Sequence, residues 1–280
     1  MAECLRATPR WPRKRPPQIM RCQLPTILLY HHVVPHTRAE TLLEPTSISL
    51  DTFASQLDAL ASDGWVFVDL EVMLAGLCAG DQARTAGGAP ELAITFDDGY
   101  ASLLEALPVL SDRRVPATVF LLTDFLGQDN RWNPKAFSIE RHLSLDEVAS
   151  LAKSGLGVEF HGTDHQRLTK LGPGELDQRF ARGQDFFAQH FGRQARVIAY
   201  PYGAFDAKVS EAARRHFEFG LAVDRGAWAG GAARHHINRI EVQCWMTPDF
   251  LVRLLSLEKR LRPRFLQETR ASLRLQGLPR

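Results

Sequence analysis

The stretch "LAITFDDGYASL", Leu92–Leu103, joins an apolar segment to two adjacent aspartates and a glycine. Its first residues are apolar or β-favouring and predict a buried strand that ends at Asp97. Two neighbouring carboxylates repel each other, so we expect a group that shares or neutralises the charge of Asp97 and Asp98.

Outward from this strand, short apolar runs alternate with amphipathic segments. The predicted strands are "TILLYHHV" (26–33), "WVFVDL" (65–70), "ELAITF" (91–96), "PATVFLL" (116–122), "LGVEF" (156–160), "RVIAY" (196–200), "FGLAV" (219–223) and "INRIEV" (237–242). The predicted helices cover residues 49–64, 99–114, 144–155, 175–191, 206–216 and 247–261. About seven strand–helix units of this kind predict an α/β fold in which a parallel sheet closes or nearly closes into a barrel.

The charge of the chain is unevenly distributed. A net charge of +2 combines two basic ends with an acidic middle, since residues 1–22 hold six Lys and Arg against one Glu and residues 253–280 hold eight against two. The Pro-rich residues 1–22 are expected to be a disordered basic tail, and residues 256–280 a basic C-terminal helix or tail. Because the body is acidic, nucleic acid is a poor candidate partner.

The four cysteines are scattered without a CxxC pair, which is typical of unpaired thiols in a reducing compartment. No apolar run is long enough to span a bilayer, and no export signal is legible. A cytoplasmic location is expected, with a periplasmic or extracellular one as the alternative.

The unusual polar residues of the chain fall at the ends of predicted strands. They are His31 and His32 after "TILLY", Asp97 and Asp98 after "LAITF", His161 and His165 after "LGVEF", and Tyr200, Pro201, Tyr202 and Gly203 after "RVIA". In parallel barrels, chemistry lies at the carboxyl ends of the strands. Four strand ends therefore predict one shared site.

His161 and His165 in "FHGTDHQRL" have the i, i+4 spacing that places two imidazoles on one face of a helical turn. With Asp98 they make a three-ligand set that leaves a position open for water. A metal ion there would also relieve the repulsion between Asp97 and Asp98. The alternatives are a pair of surface or core histidines, and an aspartate pair that forms an ordinary turn.

Three motifs resemble the signatures of the polysaccharide deacetylases, the NodB-homology domains of carbohydrate esterase family four. They are "AITFDDGY", "VEFHGTDHQRLTKL" and "IAYPYGAFD", in that order, and the "YHHV" and "YPYG" segments look most like the poly-N-acetylglucosamine deacetylase branch. The resemblance covers about residues 24–255, so we assign residues 23–255 to one catalytic domain. It implies a distorted (β/α)₇ barrel.

The resemblance also implies an activity and a set of roles. The activity is metal-dependent removal of N-acetyl groups from an amino sugar of a polysaccharide or glycan precursor. Asp98, His161 and His165 would hold one divalent metal, Asp97 would be the general base, the Tyr202 backbone N–H would stabilise the oxyanion, and Tyr200, Pro201, Tyr202 and Gly203 would contact substrate. Zinc suits these ligands best, and cobalt or nickel also fit.

The sequence departs from the family pattern in three places. The usual C-terminal Leu-x-x-His segment is missing, and His31 is our candidate for the general acid, against a purely structural role at the strand end. His32 alternates to the opposite face and is not expected to act. Gly162 stands where Ser or Thr is usual. Ala199 stands where many members have the arginine that orients the base; Arg239 is a possible replacement, and an ordinary rim salt bridge is its alternative.

Other functions on this scaffold remain open from the sequence. They are hydrolysis of a different amide or of an O-acetyl ester, and carbohydrate binding with weakened turnover. Trp132, Tyr202 and Trp228 are candidates for stacking on sugar rings or for ordinary packing. The expected partner is a glycan or amino sugar, and protein partners are not predicted.

Overall fold

The computed structural model describes residues 26–35, 44–79, 89–132, 139–223 and 234–257. The tail predicted at residues 1–22 and most of the one at residues 256–280 lie outside this range and stay predictions. Within it, no helix is long and apolar enough to cross a bilayer.

The chain alternates short strands with helices, as the sequence predicted. The strands are β1 (Thr26–Tyr30), β2 (His32–Val34), β3 (Ser47–Ser49), β4 (Val66–Phe67), β5 (Glu91–Phe96), β6 (Ala117–Leu121), β7 (Gly157–Phe160), β8 (Val197–Ala199), β9 (Phe219–Ala222), β10 (Ile237–Asn238) and β11 (Ile240–Glu241). The helices are α1 (Leu50–Ser62), α2 (Leu70–Ala79), α3 (Leu103–Asp112), α4 (Leu145–Lys153), α5 (Pro173–Phe191), α6 (Ala207–His216) and α7 (248–257). Helices α1 and α3–α6 confirm their predictions, and α7 confirms the described part of the last one.

The main sheet is parallel and nearly closes into a barrel. Its strands are ordered β10-β9-β8-β7-β6-β5-β1-β11, and β4 pairs with β5 off this path. Strands β10 and β11 lie at the two ends of this order, yet only Arg239 separates them in the chain. The sheet therefore closes through one bent segment and has seven strand positions around the ring, which confirms the distorted (β/α)₇ barrel.

Helix α2 packs under the amino ends of the strands and was not among the predicted helices. Leu70, Met73 and Leu74 share a buried apolar cluster with the inward residues of the barrel strands. The strand predicted over residues 65–70 is only two residues long, because Asp69 Oδ1 accepts hydrogen bonds from the N–H groups of Glu71 and Val72 and starts the helix. The carboxyl ends of the strands are left as the open end.

Two predicted strands are broken, and each break positions a side chain at that open end. "TILLYHHV" divides at His31, because β2 leaves the barrel to pair with β3 in a separate two-stranded sheet. "INRIEV" divides at Arg239, where the chain changes partner from β9 to β1. His31 and Arg239 therefore flank the point at which the barrel closes.

Candidate metal centre and active site

Side chains from separate strand ends line one cavity at the open end of the barrel. The cavity has a volume of about 340 Å³, and its lining includes His31, Asp97, His161, His165 and Tyr202. These residues follow β1, β5, β7 and β8, so the structure brings together the four strand ends that the sequence singled out.

Asp98, His161 and His165 form the one group of potential metal ligands found among the described residues. One ligand atom from each lies within 4.8 Å of the others. Asp98 Oδ1 is 3.2 Å from His161 Nε2 and 3.4 Å from His165 Nε2. This oxygen is buried and has no hydrogen-bond partner within the described part of the chain. A buried carboxylate oxygen that faces two imidazole nitrogens fits a bound cation.

The orientation of His161 is fixed by the strand beside it. Its Nδ1 lies 2.9 Å from the carbonyl oxygen of Ala199, so Nδ1 carries the proton and donates it. In the neutral ring, Nε2 then keeps a lone pair directed at Asp98, as a metal ligand requires. Ala199 thus contributes a backbone acceptor at the position where the family arginine is absent.

The electrostatics of the three ligands reflect their burial beside two carboxylates. Burial raises the pKa of Asp98, but His165 and His161 outweigh it and hold that pKa far below its usual range. Burial lowers the pKa of His165 to about 4, so this imidazole is neutral near pH 7. Burial also acts to lower the pKa of His161, yet the charges of Asp97 and Asp98 raise it above its ordinary value.

The backbone of the site is conformationally strained. Four described non-glycine residues have positive φ, and three of them are Asp98 (65°), His165 (55°) and Tyr202 (61°). Such conformations persist where surrounding contacts hold them, and they concentrate at functional sites. At Asp98 one such contact is from His142, whose Nδ1 lies 2.8 Å from the Asp98 carbonyl oxygen.

The two histidines do not sit on a helical turn, so that part of the sequence interpretation is wrong. Residues 161–167 form an irregular loop in which Gly162 has φ of 108° and His165 lies in the left-handed region. The imidazoles converge, with ring centroids 5.2 Å apart, because the loop folds back on itself. Gly162 is favoured over Ser or Thr here because side chains rarely adopt its backbone conformation.

Arg239 is the buried partner of Asp97. Its Nη1 and Nη2 donate to Asp97 Oδ1 and Oδ2 over 2.7 and 2.6 Å, and both side chains are about 3% exposed or less. Burial raises the pKa of Asp97, but Arg239 and His161 outweigh it and keep that pKa below its usual value. Asp97 Oδ2 lies 3.7 Å from His161 Nε2, so the paired carboxylate still faces the ligand group. The burial of both side chains distinguishes this pair from the ordinary rim salt bridge that was the alternative for Arg239.

The "YPYG" motif contributes to the cavity through two of its four residues. Tyr202 and Gly203 line it, and the Tyr202 ring lies 4.4 Å from the His165 ring. Among the described residues, none accepts a hydrogen bond from the Tyr202 backbone N–H. Gly203 is required because a Cβ there would lie 2.5 Å from the Val223 nitrogen.

The substrate contacts predicted for Tyr200 and Pro201 are not supported. The Tyr200 side chain is fully buried, stacks on Phe205 and donates its hydroxyl to the His235 carbonyl oxygen over 3.0 Å. Pro201 is buried behind the histidine loop, where a Cβ on Gly162 would contact its ring. Both residues support the turn that presents Tyr202.

The two N-terminal histidines separate as predicted. His31 lines the cavity, and its Nδ1 is buried without a hydrogen-bond partner among the described residues. His32 points away from the cavity; its ring centroid lies 4.0 Å from that of Tyr100 in a tilted arrangement, and its Nε2 lies 3.4 Å from Glu44 Oε2. Of the candidate stacking aromatics, Tyr202 is 54% exposed, whereas Trp228 and the side chain of Trp132 lie outside the described residues.

Sequence reasoning missed two residues near the site. Glu241 of β11 lines the cavity, and the alternation of inward residues along "INRIEV" (Ile237, Arg239, Glu241) was the signal for it. His142, which binds the Asp98 carbonyl, lies in an irregular segment that no periodic pattern marks.

Comparison with known proteins connects this geometry to one family. The family model described as polysaccharide deacetylase matches residues 84–217, which include Asp97, Asp98, His161, His165 and Tyr202. The resemblance indicated by the sequence motifs is therefore confirmed. His31, Arg239 and Glu241 lie outside the matched range.

Three relatives illustrate the similarity. The putative polysaccharide deacetylase YxkH of Bacillus subtilis (strain 168) is 27% identical over 156 residues, which are 55% of this chain and 52% of YxkH. The poly-beta-1,6-N-acetyl-D-glucosamine N-deacetylase of Staphylococcus aureus (strain MRSA252) is 26% identical over 207 residues, 69% of this chain and 67% of that protein. The solved structure of IcaB from Ammonifex degensii is 25% identical with a TM-score of 0.66, over 82% of this chain and 95% of that one. The chain thus matches about half the length of YxkH.

Proposed function

We propose, from the confirmed likeness to polysaccharide deacetylases, that the protein is a metal-dependent hydrolase that removes N-acetyl groups from an N-acetylated amino sugar of a polysaccharide or glycan precursor. One observation carries the proposal. The cavity combines a three-ligand cation site with a separate buried carboxylate, Asp97, that Arg239 holds in place. Metal-assisted hydrolysis of an amide needs both of these parts.

Asp98, His161 and His165 would hold one divalent metal ion. The donor set fits such an ion, since it offers two imidazole nitrogens and a carboxylate oxygen that has no hydrogen-bond partner in the described part of the chain. Zinc is the favoured ion, and cobalt or nickel are the alternatives. When bound, the metal polarises the acetamide carbonyl and makes water more acidic.

Asp97 acts as the general base. Because Arg239 keeps its pKa low despite burial, Asp97 is ionised near pH 7 and can take a proton from the attacking water. Each carboxylate oxygen has a second lone pair, so the hydrogen bonds from Arg239 orient Asp97 without blocking it.

The remaining steps use Tyr202 and His31. The Tyr202 backbone N–H, which has no acceptor among the described residues, donates to the oxyanion that forms as water adds to the acetamide carbon. His31 protonates the nitrogen as the carbon–nitrogen bond breaks, and acetate and a free amine leave. Its position on the cavity wall replaces the missing C-terminal histidine.

The alternative function, a carbohydrate-binding barrel without catalytic turnover, is less well supported. It was suggested by the absence of the family's arginine and C-terminal histidine. In the proposed site, Arg239 orients the base and His31 acts as the general acid in their place. Hydrolysis of an O-acetyl ester would use the same groups. It is distinguished from amide hydrolysis by comparing activity on the two kinds of substrate.

The test is acetate release by metal-depleted protein titrated with zinc, with N-acetylglucosamine oligosaccharides and an O-acetylated sugar as substrates. We expect activity that rises to one zinc per chain and favours the amide. Asp97→Asn should keep its zinc and lose activity by a factor of about 10²–10⁴. Equal activity of the variant would refute the role of Asp97, and absence of release at every zinc concentration would refute the function.

A further inference from the structure

A row of hydrogen-bonded side chains leads from the cavity wall to an exposed tryptophan. Glu241 lines the cavity, and its Oε2 accepts a hydrogen bond from Gln243 Nε2 over 3.3 Å. Gln243 Oε1 in turn accepts one from Trp245 Nε1 over 2.8 Å. We call Glu241, Gln243, Trp245 and the adjoining Phe250 the rim strip.

The aromatic end of the rim strip is exposed although its backbone is anchored. Trp245 is 55% exposed and Phe250 is 39% exposed, and their rings meet edge to face with centroids 4.9 Å apart. The backbone around them is fixed by hydrogen bonds from Cys244 N to the Pro45 carbonyl and from Gln56 Nε2 to the Met246 carbonyl. A turn held this firmly presents a large aromatic face to solvent, as binding surfaces do.

The polar end of the rim strip has unused acceptor capacity. Within the described residues, Glu241 Oε1 accepts no hydrogen bond. The Gln243 amide is held by a partner on each side, so its orientation is set before any ligand arrives. An exposed aromatic face beside pre-oriented oxygen acceptors suits a ligand with apolar C–H faces and hydroxyl donors.

We propose that the rim strip is a binding subsite for a second sugar unit, next to the one whose acetyl group lies in the cavity. The inference rests on the proposed function for the identity of the polymer. The neighbouring sugar would stack on Trp245 and donate hydroxyl hydrogen bonds to Glu241. Continuity with the cavity supports a unit of the same chain, because a polymer that enters the cavity must leave it across the rim.

The test compares binding of two probes to the zinc-loaded full chain by calorimetry: N-acetylglucosamine and its β-1,6-linked pentasaccharide. Trp245→Ala should weaken pentasaccharide binding about fivefold and leave monosaccharide binding unchanged. Trp245→Phe should retain most of the affinity because it keeps a ring. Val72→Ala removes an exposed apolar side chain on α2, at the opposite end of the barrel, and should change neither.

Two results would overturn the subsite: failure of the wild type to bind the pentasaccharide more tightly than the monosaccharide, or an equal effect of Trp245→Ala on both probes. The outcome is separable from that of the proposed function. Trp245-dependent pentasaccharide binding without acetate release would support the subsite and refute the activity. Acetate release without Trp245-dependent pentasaccharide binding would support the activity and refute the subsite.

Discussion

Arg239 binds both carboxylate oxygens of Asp97 at the residue where the barrel closes between β10 and β11. The segment that joins the last strand to the first therefore also orients the candidate base. This couples closure of the fold to the ionisation of Asp97.

Loss of the Arg239 charge should shift the pH dependence of the reaction. Burial raises the pKa of Asp97 and Arg239 lowers it, so in Arg239→Gln the pKa rises and the base is protonated at higher pH. We expect the acidic limb of the kcat/KM profile to move up by about 1–3 pH units. Arg239→Lys keeps the charge and should shift the limb less; an unmoved limb in Arg239→Gln would contradict the pairing.

Substitution of His31 should have an effect that depends on the leaving group. An amine must be protonated as it leaves, whereas an activated aryl ester releases a stable anion. His31→Gln should therefore lower kcat on an N-acetylated sugar by about 10²-fold and leave hydrolysis of 4-nitrophenyl acetate nearly unchanged. Equal losses on the two substrates would show that His31 supports the site rather than donating a proton.

Removal of the His142 contact should weaken metal binding without touching a ligand. His142 Nδ1 donates to the Asp98 carbonyl and helps to hold the left-handed backbone that aims the carboxylate. His142→Gln should raise the zinc dissociation constant by about tenfold, measured by competition with a chelator. The matched change at the exposed His190, His190→Gln, should leave it unchanged; the same affinity in both variants would argue against this role.

Gly203→Ala should destabilise the fold more than Gly64→Ala. Both glycines have positive φ, but a Cβ on Gly203 would lie 2.5 Å from the Val223 nitrogen, whereas nothing lies within 4 Å of one on Gly64. Gly64→Ala should cost about 1 kcal/mol of unfolding free energy, from backbone strain alone, and Gly203→Ala should cost more. Urea denaturation measures both losses of unfolding free energy. Equal losses would show that the backbone around Gly203 can shift to accommodate a Cβ.

Much of the site was predictable because parallel strands place their carboxyl ends together. Asp98, His161 and His165 could be grouped from the strand pattern alone, before any contact was known. The helical turn inferred from the His161–His165 spacing was wrong, since spacing does not reveal that Gly162 and His165 adopt positive φ.

Other features could not be read from local pattern. The pairing of Arg239 with Asp97 joins residues that are 142 apart in the chain and depends on how the barrel closes. Helix α2 was missed because "LEVMLAGLCA" is apolar nearly all round, so it carries no amphipathic period. Tyr200 looked like a substrate contact until its burial against Phe205 was known.

The most direct test is a crystal structure of the zinc-loaded protein with anomalous diffraction recorded at the zinc edge. We predict one strong peak bound by Asp98, His161 Nε2 and His165 Nε2 at about 2.0–2.2 Å, with Asp97 beside it and still paired to Arg239. A zinc ion bound elsewhere, or Asp98 turned away from both imidazoles in the loaded protein, would contradict the account.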